Sequence, residues 1–166
     1  MLLSNISNIS GLRLFKAVIF SAAVLSVPHI ANGADGADGV SPQSAKIYKH
    51  SEITYNAVQG KPGIYAATLF GDPSKAGPYV QRLKFDAGLT VAPHYHNDTL
   101  KVVSLVEGVL YFAYGDEFDE GALKPLTQGD IWTEAKGQAH FAMTKDSHAI
   151  IEIHGVGPIS SIAITQ

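Results

Sequence analysis

The chain has 166 residues, 46% of them apolar and 16% charged, with 12 basic residues against 15 acidic ones and a formal net charge of −3. That is enough for one domain with a real core, too apolar for a disordered chain, and too acidic for a protein that must neutralise nucleic-acid phosphates. There is no cysteine, which excludes disulfides, thiolate metal sites and a cysteine nucleophile, so any metal must be held by imidazole or oxygen donors.

Residues 1–33 read as a signal peptide. Arg13 and Lys16 are the only charged side chains there, and the apolar run that follows, AVIFSAAVLSV, is too short for a comfortable membrane span. Pro28 breaks that run, and Ala31-Asn32-Gly33 places small residues where a signal peptidase reads them. The expectation is export to the periplasm or secretion, with no membrane attachment once the segment is removed. Removal takes away two basic residues and no acidic ones, so the mature chain is more acidic still. Residues 34–45 are small, polar and rich in glycine, as expected of a flexible leader, and residues 46–166 form the domain.

From Lys46 onward short β-patterned runs alternate with turn signals, and no stretch sustains a helical period. In residues 79–85 alternation puts Tyr79, Gln81, Leu83 and Phe85 on one face, expected to look inward, with Val80, Arg82 and Lys84 on the other. Asp86-Ala87-Gly88 is a turn. The next run carries His94 and His96, whose i, i+2 spacing points both imidazoles to the same side of a strand. Residues 101–107 and 109–114 follow as strands, and the acidic loop after them, Asp116 to Glu120, lacks the spacing of a calcium loop and reads as a solvated turn. IWTE, the segment carrying His140, the run from His148 to His154 and a final ISSIAI complete eight to ten strands. Such a count without helices predicts an all-β fold, a single antiparallel β-barrel or jelly roll that hides its sheet edges.

Residues 88–108, GLTVAPHYHNDTLKVVSLVEG, resemble the first sequence motif of the cupin superfamily, G-x5-H-x-H-x4-E-x6-G. Residues 129–144, GDIWTEAKGQAHFAMT, resemble the second, G-x5-P-x-G-x2-H-x3-N. The resemblance implies turns at Gly88, Gly108, Gly129 and Gly137, a divalent transition metal held by His94, His96 and His140, and a homodimer. The chain departs from the pattern at three places. The proline and asparagine of the second motif fall on Ala135 and Thr144, and the glutamate that normally supplies a fourth ligand falls on Lys101.

An ammonium beside a divalent ion is costly, so Lys101 leaves three outcomes open. Three histidines alone hold the metal and Lys101 is a catalytic residue binding an anionic substrate. Alternatively Glu152, on a late strand at the parity of His148 and His154, faces the cavity and pairs with Lys101 or replaces the lost ligand. The third outcome is a degenerate metal site. On the first of these, Lys101→Glu tightens metal binding and weakens an anionic ligand. His154, if inward, transfers a proton at the substrate, and Tyr79, Gln81, Tyr114, Trp132 and Glu152 are candidates for the substrate wall.

The expected function is an exported metal-binding cupin, either an enzyme (dioxygenase-like, or a metal-assisted isomerase or hydrolase) acting on a small organic anion, or a non-catalytic module that captures a small ligand or sugar. Three imidazoles favour iron, zinc, manganese, nickel or copper over calcium and magnesium.

Overall fold

The structure, a computed structural model, describes residues 45–164. The signal peptide expected over 1–33, and all but the last residue of the expected leader, lie outside the described residues. In chain order the strands are β1 (Asn56–Ala57), β2 (Ile64–Phe70), β3 (Gly77–Phe85), β4 (Thr90–Tyr95), β5 (Lys101–Gly108) and β6 (Leu110–Tyr114). They continue as β7 (Lys124–Leu126), β8 (Ile131–Glu134), β9 (His140–Met143), β10 (Ala149–Gly157) and β11 (Ile162–Ala163). Helix is confined to two single 3₁₀ turns among the described residues, and no described helix is long and apolar enough to cross a membrane.

Every described strand pairing is antiparallel, and the strands form two sheets, ordered β1-β2-β3-β10-β5-β8 and β11-β4-β9-β6-β7. From β3 to β6, and again from β7 to β11, the chain crosses to the other sheet after each strand. That is the winding expected of a jelly roll. The turns that make these crossings need residues tolerant of positive φ. Gly108, with φ 81°, carries the chain from β5 to β6 where a Cβ would stand 2.0 Å from the His148 carbonyl oxygen, so no larger residue fits without moving backbone.

The core lies between the two sheets. Tyr79, Val103, Leu105, Trp132, Ile151 and Ile153 come from the six-stranded sheet, and Leu110, Phe112 and Ala142 from the five-stranded one. Fully burying an aliphatic or aromatic side chain of this size contributes roughly 1.5–3 kcal/mol, which decides which face of each strand turns inward. On β3 the inward set is Tyr79, Gln81, Leu83 and Phe85, in line with their alternation in the sequence. Across from Tyr79 on β10 stands Gly155, where a Cβ would meet the tyrosine ring at 2.7 Å and its hydroxyl at 2.6 Å. The missing side chain makes room for the ring.

The second-motif departures have simple structural readings. Thr144 takes the asparagine position fully buried, donating its hydroxyl to the Asp86 carbonyl at 2.6 Å and accepting from the Leu89 amide at 2.9 Å. Ala135 opens a turn that Gly137 closes, and the Gly137 amide donates to the His96 carbonyl at 2.7 Å. That bond ties the second motif to the first.

Candidate metal centre

The five-stranded sheet supplies the imidazoles. His94 on β4 and His140 on β9 are cross-strand partners, and His96 follows just past the end of β4. The register of β4 slips between Val91 and His94, so Val91, His94 and His96 all line the interior even though 91 and 94 differ in parity. An irregularity at that point re-aims the strand, as β-bulges do beside functional sites. The three ring centroids lie 4.4–5.1 Å apart, and one ring nitrogen from each lies within 4.8 Å of the others.

Hydrogen bonding sets the tautomers. The Nδ1 of His94 lies 2.9 Å from the Ala92 carbonyl, that of His140 lies 3.1 Å from the Gln138 carbonyl, and that of His96 bonds the Ser160 carbonyl. A carbonyl only accepts, so each Nδ1 carries the hydrogen and each Nε2 is left with a lone pair. Burial keeps the rings uncharged: desolvation pushes all three below the usual imidazole range, with His140 down to about 4. Three neutral imidazoles with free Nε2 lone pairs can hold a metal ion, and such a donor set suits a divalent transition ion better than calcium or magnesium.

The six-stranded sheet faces this group with charge. Lys101 on β5 and Glu134 on β8 are cross-strand partners, and both are buried, at 3% and 6% exposure. The Lys101 ammonium lies 3.1 Å from a carboxylate oxygen of buried Asp98 and 3.9 Å from one of Glu134. Burial pushes its pKa down, and the two carboxylates oppose that shift. Lys101 therefore reaches the cavity with the Asp98 carboxylate beside its ammonium. Glu134 sits with one oxygen 3.5 Å from the His96 Nε2 and the other 3.7 Å from the His140 Nε2, while Trp132 Nε1–H donates to it at 3.2 Å.

Between the sheets lies a cavity of about 280 Å³, with mainly apolar walls from residues such as Ile64, Phe85, Val91, Phe112 and Ile151. Tyr79, Gln81 and Trp132 line it too, and Lys61 and the 159–161 segment complete its boundary. Burial raises the Tyr79 phenol above its ordinary range, with Asp98 and Glu134 adding to the effect, so it stays a neutral hydroxyl.

Three expected site residues lie elsewhere. Ile151 and Ile153 take the inward face of β10, which turns Glu152 and His154 to the opposite side of the sheet. There Glu152 accepts from Arg82 Nε at 2.7 Å and contacts His154 Nε2 at 3.0 Å, so neither it nor His154 reaches Lys101 or the imidazoles. Tyr114 ends β6 outside the cavity wall. Its ring meets Phe112 edge-on and its hydroxyl donates to the Thr133 carbonyl at 2.5 Å, which ties the two sheets together beside Glu134.

Two residues that matter here were not singled out from sequence. Glu134 shares the parity of Trp132 within IWTE, and that signal was available. Asp98 falls in Asn97-Asp98-Thr99, which has the form of a glycosylation acceptor. Its function is internal: one oxygen pairs with Lys101 and the other takes the Ser160 amide at 3.4 Å, so it anchors the segment whose carbonyl orients His96.

Two facing antiparallel sheets wound in this order form a double-stranded β-helix, the fold of the cupins. No protein-family model matches the sequence, and no curated protein matches it. Solved structures do. The polyketide cyclase RemF from Streptomyces resistomycificus aligns with TM-score 0.62 and 12% identity, over 74% of this chain and 87% of that one. A conserved Klebsiella pneumoniae protein with a double-stranded β-helix domain aligns with TM-score 0.55 and 18% identity, over 74% and 100%. An RmlC-like cupin from Shewanella frigidimarina aligns with TM-score 0.52 and 20% identity, over 69% and 92%. At such identities the likeness carries the fold, and any activity must be argued from the site.

Proposed function

We propose that this protein is an exported, metal-dependent enzyme acting on a small, mainly apolar organic molecule that presents an oxygen to the three histidines. The observation that carries this reading is the convergence of one ring nitrogen from each of His94, His96 and His140, within 4.8 Å of one another, on the wall of an otherwise apolar cavity. Lone pairs with no hydrogen between them repel, and a cation relieves that repulsion. A divalent ion held by His94, His96 and His140 would supply Lewis acidity toward a substrate oxygen. The chain's own residues do the rest. The apolar walls strip water from the substrate, and Tyr79, held protonated, offers a hydroxyl to a developing negative charge.

The cavity narrows the substrate class. A sugar would leave many hydroxyls facing Ile, Phe and Val side chains, each unpaired polar group costing on the order of 1–3 kcal/mol, which counts against the sugar-binding alternative. An anionic substrate finds Lys101 already paired, so any carboxylate on it would meet Lys61 at the boundary of the cavity, close enough to His94 to lower its pKa further. That a polyketide cyclase has this fold supports a catalytic use of such a cavity. Metal-assisted isomerisation or cyclisation and oxygen-dependent cleavage are the reactions such a centre serves.

Trp132 is the single tryptophan and lines the cavity, so its fluorescence reports on the site directly. Titrating tag-free, chelator-stripped protein with Cu(II) or Co(II) is expected to quench that emission with an endpoint at one equivalent, and His140→Ala to abolish the saturable phase. Unquenched emission together with no metal in elemental analysis would return the protein to the non-catalytic binding reading.

Export and self-association are parts of the same proposal. The run after Lys16 supports the first, and the outer face of the β5–β8 edge, where Val102 and Ile131 are exposed, supports a homodimer. Protein expressed from the full sequence is expected in the periplasm with an intact mass starting at Ala34, and at twice that mass by light scattering. Retention of residues 1–33 rules out export by cleavage, and a monomeric mass rules out the dimer.

A further inference from the structure

Among the described residues, Glu134 is the buried carboxylate that contacts the imidazoles, and the cupin pattern assigns it nothing. We propose that Glu134 is the fourth ligand of the metal centre, supplied from β8 in place of the first-motif carboxylate that Lys101 displaces; this rests on the reading that His94, His96 and His140 hold a divalent ion. Two donor atoms sharing an ion at about 2.0–2.1 Å in a tetrahedral array stand roughly 3.4 Å apart. One Glu134 oxygen stands 3.5 Å from the Nε2 of His96 and the other 3.7 Å from that of His140, so the carboxylate borders the three-histidine group. Neither contact is a hydrogen bond, because both nitrogens carry lone pairs rather than hydrogens, and two acceptors held at that separation in a buried site call for a cation between them.

Three further observations agree. Trp132 Nε1–H donates to one Glu134 oxygen, the kind of outer contact that orients a ligating carboxylate. The Lys101 ammonium is claimed by Asp98 at 3.1 Å against 3.9 Å for Glu134, so the Glu134 charge remains available to an ion. Three neutral imidazoles would bury an ion at its full double charge in an apolar cavity, and one carboxylate ligand halves that charge and its desolvation cost.

Lys101 and Glu134 face each other across the β5–β8 ladder, so the chain has in effect moved the carboxylate one strand over and put an ammonium where it came from. This makes an exchange informative. In chelator-stripped protein titrated with Co(II), Glu134→Gln is expected to lower affinity at least tenfold by calorimetry and to change the visible d–d bands. The exchange Lys101→Glu with Glu134→Lys, which keeps the charge count and restores the first-motif glutamate, is expected to recover affinity to within a few-fold of the original. In the unmodified protein, which needs no variant to fold, Co(II) binding is expected to shift one antisymmetric carboxylate stretch in the infrared difference spectrum. Binding by the unmodified protein with no carboxylate shift, or with a Glu134→Gln affinity and spectrum equal to its own, overturns this assignment while leaving the three-histidine centre standing. No Co(II) uptake by the unmodified protein overturns both.

Discussion

Replacing Lys101 with methionine is expected to lower the stability of the metal-free protein by about 3–5 kcal/mol, because it leaves Asp98 as a buried carboxylate with no cation beside it. Methionine keeps the apolar stem of the side chain, so the loss reports the charge rather than a cavity. For a domain whose total stability is of order 5–15 kcal/mol, that is about a fifth or more of the whole. Urea melts at neutral pH measure it, and a change below about 1 kcal/mol would show that the pair contributes little. Adding Asp98→Asn should recover part of the loss, since the second substitution removes the stranded charge, and a double-mutant cycle reads the coupling. The same geometry revises the expectation for Lys101→Glu by itself. Restoring the motif glutamate there sets three carboxylates side by side, and the metal-free protein should be badly destabilised before any gain in metal affinity can be measured.

Acid should unfold the metal-free protein through its histidines. An unfolded imidazole takes a proton near its ordinary value of 6.5, whereas His140 in the native cavity refuses one until about pH 4, and burial lowers His94 and His96 in the same direction. The unfolded state therefore binds more protons below pH 6.5, and stability falls as the pH drops through that window. Above pH 6.5 both states hold these rings neutral and the effect vanishes. For His140 alone, the difference between 6.5 and about 4 corresponds to roughly 3 kcal/mol by the time the pH reaches 4. Urea melts between pH 7.5 and 4 check this, with His140→Phe as the control that removes the proton site and keeps a ring. A bound divalent ion should move the whole loss to lower pH, since metal and proton compete for the same Nε2 lone pairs. Identical acid profiles for the original and the His140→Phe protein would remove His140 as the cause.

Much of the site was legible along the chain because strand geometry is local. His94 and His96 had to share a face, since their spacing is two, and Tyr79, Gln81, Leu83 and Phe85 had to line up for the same reason. The glycine at 108 was readable as a turn, although the carbonyl that forbids a side chain there belongs to His148, forty residues on. Glu152 and His154 show where alternation stops being decisive. Alternation established that they point the same way but not which way. Two isoleucines on the other face of β10 decided that, because burying them outweighs anything a solvated carboxylate would gain by turning inward.

What the residue order determined by itself, then, was the all-β class of the described domain, the turn positions, and a trio of imidazoles able to act together with no thiol in competition. The tertiary structure decided what those imidazoles face. It brought Glu134 across from the opposite sheet, gave Lys101 a partner in Asp98, and surrounded both with apolar side chains. Those facts depend on which strands become neighbours between two packed sheets, and that is set by burial summed over the whole core rather than by any one segment's pattern.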